Sequence, residues 1–178
     1  MLIFVSGGAR SGKSTFAEHL VESNSKSGKL HYIATSRLTD FEMKTRISHH
    51  QKSRGNQWIT WEQPSDLHKL KDHFTDKDTV LLDCLTILTA NELFQDNQLQ
   101  DKVTTHKKIV HGVKKLLHVK LLVIVSNDLF SNGVPRDKGT FTYMKLLGDL
   151  HQEIVYMSDL AYQVTHGIPK EMKWKLLC

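Results

Sequence analysis

The stretch Gly7–Ser14 reads GGARSGKS and follows almost directly on the apolar run Leu2–Val5. In the pattern G-x-x-x-x-G-K-[ST], the two glycines let a loop turn its backbone N–H groups inward toward one anion. The lysine and the hydroxyl residue open the next helix, where they would reach the β- and γ-phosphates and hold Mg²⁺. The order strand, loop, helix therefore predicts a phosphate-binding loop.

Short apolar strands alternate with helical stretches along the rest of the chain. The predicted strands are Leu2–Val5, His31–Ala34, Val80–Asp83, Leu121–Val125 and Ala161–Thr165, with helices over about 14–22 and 101–117. This alternation indicates an α/β fold, a mostly parallel sheet with helices on both faces. Together with the phosphate-binding loop, it leads us to expect a fold of the P-loop NTPase-like (RecA-like) kind. We see no repeat or domain-scale linker, so residues 1–178 are expected to form one nucleotide-binding domain.

The composition favours a small enzyme acting on an anion. The chain has 178 residues, a net charge of +5 and 39% hydrophobic residues, and its basic residues are scattered. A nucleotide suits this charge, whereas nucleic acid would favour massed basic residues, so we expect no nucleic-acid partner. Cys84, expected inside an apolar strand, and Cys178 have no metal or disulfide spacing, and no run is long enough to span a bilayer. We therefore expect a cytoplasmic protein.

The segment from Thr39 to Arg54 is predicted to be a helix. Thr39 and Glu42 have the spacing of a capping box. One helical face would carry Met43, Arg46, Ile47, His50 and Arg54, with His49 pointing away. Two interpretations stay open, a phosphate-docking surface with a reactive imidazole or a basic face that is merely solvated.

Asp83 ends the apolar strand Val80–Asp83. In a chain with a phosphate-binding loop, this is the place for an acid that orients Mg²⁺ or its water shell. The alternative is an aspartate that caps the next element.

These pieces together resemble the bifunctional adenosylcobinamide kinase / adenosylcobinamide-phosphate guanylyltransferase family of cobalamin synthesis. The resemblance runs over nearly the whole chain. It is carried by GGARSGKS, Tyr32–Ser36, the spaced motif from Asp40 to Arg54, Trp58–Pro64, Leu82–Thr86 with Asn91, Ser126–Asn127, Gly167–Pro169 and Lys173.

The resemblance implies two reactions. The first is phosphorylation of the adenosylcobinamide hydroxyl with ATP or GTP, and the second is GMP transfer from GTP through a GMP–histidine intermediate, with loss of pyrophosphate. It puts that histidine at His50, which helical phase also favours over His49. The family further implies a homo-oligomer, with a trimer as the expected state.

The site residues expected on these grounds are His50 and Lys13 for catalysis and Ser14 and Asp83 for Mg²⁺. The nucleotide site would comprise Gly7, Gly8, Ala9, Arg10, Ser11, Gly12, Lys13, Ser14, Ala34, Thr35, Ser36, Arg46, Gln51, Lys52, Ser53, Arg54, Glu62 and Asp83. Glu62 could bind a guanine edge or ribose hydroxyls, and both roles stay open.

Three departures from the family pattern fall in the second half of the chain. Phe130 stands where the family has a glycine, Phe141–Lys145 lacks an expected arginine, and His151 stands in place of an asparagine. Two other functions therefore remain open. One is another small-molecule P-loop kinase in which His50 is never modified, and the other is a nucleotide-binding scaffold that has lost its acceptor site.

Overall fold

A seven-stranded sheet lies at the centre of the computed structural model, which describes residues 1–25, 28–36, 57–95, 98–130, 133 and 135–173. Its strands are β1 (Leu2–Gly7), β2 (Leu30–Ala34), β3 (Trp58–Glu62), β4 (Thr79–Asp83), β7 (Leu121–Asn127), β8 (Leu160–Thr165) and β9 (Ile168–Lys173). A separate short hairpin consists of β5 (Phe94–Gln95) and β6 (Gln98–Leu99). The described helices are α1 (Lys13–Asn24), α2 (Leu85–Leu93), α3 (Lys102–Leu116) and α4 (Lys138–Met157), with a 3₁₀ helix over Leu67–His73.

The strand order is β3-β2-β4-β7-β1-β8-β9, and every neighbouring pair is parallel except β8 and β9. The register pairs Gly7 with Asn127 and Asp83 with both Ala34 and Val125. The carboxyl ends of β1, β2, β4 and β7 therefore meet at one edge of the sheet, where parallel α/β proteins place their ligands.

Strand alternation divides the core into two layers. In β1, Leu2 and Phe4 face one layer while Ile3 and Val5 face the other. Helix α1 covers the second layer through Ala17 and Val21, and the first layer is covered by the 3₁₀ helix with α2, α3 and α4. The prediction of a mostly parallel sheet with helices on both faces is thus confirmed.

All five predicted strands are present, and the two predicted helices outside the 39–54 segment correspond to α1 and α3. Asp101 caps α3 because its Oδ2 accepts the Thr104 N–H at 2.7 Å. The expected position of Cys84 was wrong, since β4 ends at Asp83 and Cys84 immediately precedes α2. The predicted helix from Thr39 to Arg54 lies outside the described residues. Among the described helices, none has the length and apolar character to cross a bilayer.

Candidate active site

The loop between β1 and α1 has the backbone of an anion cradle. Gly12 has a φ of 88° and Arg10 a φ of 58°, both in the left-handed region. The Ser11 N–H donates to the Gly8 carbonyl at 3.3 Å, and the Phe16 N–H donates to the Gly12 carbonyl at 3.0 Å. Helix α1 therefore begins directly behind the loop, with the positive end of its dipole toward it.

Lys13 lies at the floor of this cradle. Its side chain is buried, with the residue 9% exposed, and its Nζ donates to the Gly8 carbonyl at 3.1 Å. A buried ammonium group gains most from an anionic partner, because burial has already removed much of its hydration. The adjoining cavity of about 610 Å³ is lined by Ala9, Arg10, Ser11, Gly12, Lys13, Ser14, Thr15 and Asn127.

The turn between β8 and β9 supports the loop from behind. The Gly167 N–H donates to the Ser11 carbonyl at 2.8 Å. A Cβ atom at Gly12 would lie 3.2 Å from the Gly167 Cα, and one at Gly7 would lie 2.5 Å from the Val164 carbonyl oxygen. Glycine at these two positions thus permits the close approach of the two segments.

Asp83 lies on the same edge of the sheet as the cradle. Its Oδ2 accepts the Tyr32 hydroxyl at 2.9 Å. The charges of Asp83 and Lys13 both reach the thiol of Cys84, whose pKa is about 11: burial raises it most, Asp83 raises it further, and Lys13 lowers it. The thiol of Cys84 therefore stays protonated at neutral pH.

The segment after β2 is tied to the ends of β3 and β4. Thr35 Oγ1 accepts the Cys84 N–H at 2.8 Å and donates to the Cys84 carbonyl at 2.9 Å. Asn91 Nδ2 donates to the carbonyls of Thr35 at 2.8 Å and Pro64 at 3.0 Å. Ala34 pairs with the exposed Glu62, so the predicted site residues of β2, β3 and β4 share one edge. Sequence reasoning noted Asn91 only as part of a motif and missed this bridging contact.

Comparison with known proteins agrees with this geometry. The family described as cobinamide kinase / cobinamide phosphate guanyltransferase matches residues 3–172. The chain belongs to this family. The family and enzyme class predicted from the sequence, a transferase family of cobalamin synthesis, are thereby confirmed.

The chain is also similar to two curated relatives and to one solved structure. A protein of Escherichia coli (strain K12), "Bifunctional adenosylcobalamin biosynthesis protein CobU", is 30% identical over 97% of this chain and 100% of its own length. The CobP protein of the same description from Pseudomonas aeruginosa is 30% identical over 94% of both chains. The structure of the flagellar accessory protein FlaH from Methanocaldococcus jannaschii is 15% identical, with a TM-score of 0.50 over 98% of this chain and 78% of that one, and shows the fold alone.

A buried polar group lies beside the cradle in this member of the cobinamide kinase family. Ser126 Oγ lies 3.0 Å from Thr86 Oγ1 and 2.7 Å from His151 Nε2. Thr86 Oγ1 also accepts the Asn127 N–H at 2.7 Å. We call Thr86, Ser126 and His151 the hydroxyl–imidazole chain. Asn127, which it contacts, lines the cavity, a role that the sequence did not reveal.

Two of the departures from the family pattern meet in this region. The Phe130 ring packs edge-on against His151 with centroids 5.4 Å apart, and Phe4 packs against the imidazole at 5.0 Å. Burial lowers the pKa of His151 to about 4, although the Asp128 charge opposes the shift. The imidazole is therefore neutral at pH 7, and the two departures form one packed cluster.

The remaining predicted site residues lie outside the part of the chain that the structure describes. They are Arg46, His50, Gln51, Lys52, Ser53 and Arg54. Within the described ranges, no group of three or more histidine, cysteine and acidic side chains could hold a metal ion. The cradle, Asp83 and the ends of β2 and β3 therefore make up the described part of the site.

Proposed function

We propose that this chain, with residues 1–178 working as one domain, phosphorylates adenosylcobinamide and then transfers GMP from GTP onto the product. The observation that supports this most is the cavity over the loop, where the buried Lys13 is positioned to bind an anion. The family and the names of its relatives supply the acceptor. Such an enzyme would work in the cytoplasm, where ATP and GTP are supplied.

The kinase step would use the cradle directly. The acceptor hydroxyl oxygen attacks the γ-phosphorus of ATP or GTP, the bond from that phosphorus to the bridging oxygen breaks, and the nucleoside diphosphate leaves as the hydroxyl loses its proton. Negative charge spreads over the phosphate oxygens during this transfer. The loop amides and Lys13 would stabilise that charge, because they are fixed before the reaction begins.

The transferase step would proceed through His50. A nitrogen of the neutral imidazole attacks the α-phosphorus of GTP, and the bond to the β-phosphate oxygen breaks, so pyrophosphate leaves. An oxygen of adenosylcobinamide phosphate then attacks that phosphorus, the P–N bond breaks, and adenosylcobinamide-GDP forms. Arg46 and Arg54 would neutralise the phosphates during transfer. The roles of these three residues rest on the sequence motif and its helical phase.

Ser14 and Asp83 would hold Mg²⁺. A hydroxyl and a carboxylate are hard oxygen ligands that suit this ion, which usually takes its other ligands from water and substrate phosphates. When bound, the ion would neutralise charge on the phosphates.

The base and ribose of the nucleotide would lie along the edge formed by Ala34–Ser36 and Glu62, with Gln51–Arg54 nearby. Glu62 is exposed at the end of β3 and is available to either a guanine edge or ribose hydroxyls. We also propose a homo-oligomer, a trimer as in the resemblance. Native mass spectrometry tests it, with three times the chain mass of 20.4 kDa expected.

Intact mass after incubation with Mg²⁺ and GTP is the deciding experiment, on wild type, His50→Ala and His49→Ala. We expect an acid-labile, GMP-sized adduct that only His50→Ala abolishes. Loss of the adduct in His49→Ala instead would support the transferase activity but make His49 its nucleophile. No adduct on any variant would contradict the transferase activity. A kinase or a nucleotide-binding scaffold would then remain, and only the kinase would turn over adenosylcobinamide with ATP.

A further inference from the structure

Asn127 is positioned to contact the nucleotide phosphates. It ends β7, whose neighbours on either side are β1 and β4, the strands that lead into the cradle and to Asp83. Among the described residues that line the 610 Å³ cavity, it is the single one from outside the segment 9–15. Its side-chain amide makes no hydrogen bond to the described part of the chain, so both donors are available to a ligand.

The backbone around Asn127 is held from two sides. Its own N–H donates to Thr86 Oγ1 at 2.7 Å, and the next N–H, of Asp128, donates to the Gly7 carbonyl at 3.0 Å. These bonds tie the end of β7 to α2 on one side and to the start of the phosphate-binding loop on the other. The side-chain amide of Asn127 is therefore free to bind a ligand, while the backbone that carries it is held in place.

The hydroxyl–imidazole chain extends this support to α4. Thr86 Oγ1 accepts the backbone N–H of Asn127. We therefore assign the Thr86 hydroxyl as the donor to Ser126 Oγ, and the Ser126 hydroxyl as the donor to His151 Nε2. In this order every hydrogen has an acceptor. It requires a neutral imidazole that accepts at Nε2, which agrees with its burial between aromatic rings.

We propose that the side-chain amide of Asn127 donates to the terminal phosphate of the nucleotide held by the phosphate-binding loop. The hydroxyl–imidazole chain consists of positioning residues that hold Asn127 for this contact. The inference rests on the proposed function, since it takes the cavity as the site of the nucleotide phosphates. It adds a residue that recognises the triphosphate and a route by which α4 affects that recognition.

Affinities for GTP, GDP and GMP, measured by calorimetry, test the contact with Asn127→Ala and Asn127→Asp. We expect GTP binding to weaken by about tenfold in Asn127→Ala and by more in Asn127→Asp, whose charge repels phosphate. GMP binding should change by less than about twofold, because GMP has no terminal phosphate at that position. An unchanged preference for GTP over GDP in both variants overturns the contact.

His151→Phe tests the positioning role, because phenylalanine keeps the aromatic packing and removes the acceptor. We expect a reduced preference for GTP over GDP with GMP affinity kept, and recovery in His151→Gln, whose oxygen can accept the Ser126 hydroxyl. Gln152→Ala, the exposed neighbour on α4, is the matched control. A GTP preference that His151→Phe leaves intact overturns the positioning role.

A measurement on wild type covers the case in which these variants fail to fold. The ¹⁵N side-chain amide signal of Asn127 should shift on adding GTP and much less on adding GMP. Equal shifts with both nucleotides overturn the inference. Absence of any GTP binding by wild type would contradict the proposed function itself, whereas binding without the Asn127 effects contradicts this inference alone.

Discussion

At the scale of single residues, the atoms packed against Gly7 explain why a glycine is required at this position. A Cβ atom there would lie 2.5 Å from the Val164 carbonyl oxygen, and that backbone atom belongs to the neighbouring strand β8. We expect Gly7→Ala to lower the free energy of unfolding by about 1–3 kcal/mol, because β1 or β8 must shift. Thermal or urea unfolding followed by circular dichroism measures the change.

Gly8→Ala is the matched control for this prediction. No atom lies within 4 Å of a Cβ built at Gly8, so its stability should stay within about 0.5 kcal/mol of wild type. Equal losses in the two variants would show that flexibility of the loop, rather than the contact with Val164, sets the requirement.

Two histidines with lowered pKa values, His151 and His31, make the stability of the fold depend on pH. His151 has a pKa of about 4 in the folded chain against an ordinary value of 6.5, because burial disfavours the charged ring. Between these values the unfolded chain binds more protons, so the free energy of unfolding rises with pH and levels off above 6.5. We expect the free energy of unfolding to fall by about 3 kcal/mol, through His151 alone, as the pH falls through this range.

Urea unfolding at pH 4, 5, 6 and 7 measures this dependence. His151→Phe should show a shallower fall than wild type, and His19→Ala, which removes an exposed histidine, is the control. Part of the fall should persist, because burial also lowers the pKa of His31 despite Asp78, and His31 Nδ1 accepts the Trp61 N–H at 3.0 Å. An identical pH dependence in wild type and His151→Phe would contradict the neutral, buried state of this imidazole.

At the scale of elements, β1, β4 and β7 could be predicted because they contain uninterrupted apolar runs. Strand β3 was missed because it lies at a sheet edge, where its side chains are half-buried or exposed and the apolar pattern is broken. Helix α2 was not predicted, because it follows β4 so closely that the apolar residues of the helix and of the strand form nearly one run in the sequence. Strand β9 contains a proline among charged and mostly exposed residues, a composition that only an edge strand tolerates.

The candidate site divides in the same way. The cradle was predictable because its chemistry is local, with the glycines, Lys13 and Ser14 in eight consecutive residues. Asn127 and the hydroxyl–imidazole chain were not, because the hydrogen bonds among them join residues 25, 40 and 41 positions apart in sequence. Thr86 and His151 lie on two helices, so these contacts depend on how the helices pack against the sheet, which local sequence patterns do not specify.

A charged cluster joins the 3₁₀ helix to α2 and α3. Glu92, which is 3% exposed, accepts the Asp66 N–H at 2.7 Å and Lys108 Nζ at 2.6 Å. Lys108 Nζ also lies 2.6 Å from Asp66 Oδ1, and hydrogen bonds from Lys108 and Lys69 lower the pKa of Asp66 to about 2. The cluster therefore ties three elements together through one lysine.

Lys108→Met should destabilise the fold by about 2–3 kcal/mol, because it leaves the Glu92 carboxylate buried without its cation. Lys107→Met, at an exposed position one residue earlier, is the matched control. In a double-mutant cycle, adding Glu92→Leu should cost less in the Lys108→Met background than in wild type. Additive losses would show that the two side chains are not coupled.

At the scale of the whole molecule, nucleotide binding should stabilise the entire fold, since the cradle contacts β1, α1 and the turn between β8 and β9. GTP at 100 times its dissociation constant should add about 2.7 kcal/mol to the free energy of unfolding. For a chain of this size, that is a rise in Tm of several degrees in differential scanning calorimetry. Lys13→Ala should largely abolish the rise, and a full rise in that variant would place the nucleotide elsewhere.

The central position of β1 also has a consequence for synthesis of the protein. Both neighbours of β1 in the sheet, β7 and β8, come from residues beyond 120, and the loop rests on Gly167. While a chain grows on the ribosome, the strand that leads into the cradle has neither partner until more than 100 further residues have been translated. The phosphate-binding motif is thus translated well before the segments that enable it to hold a nucleotide.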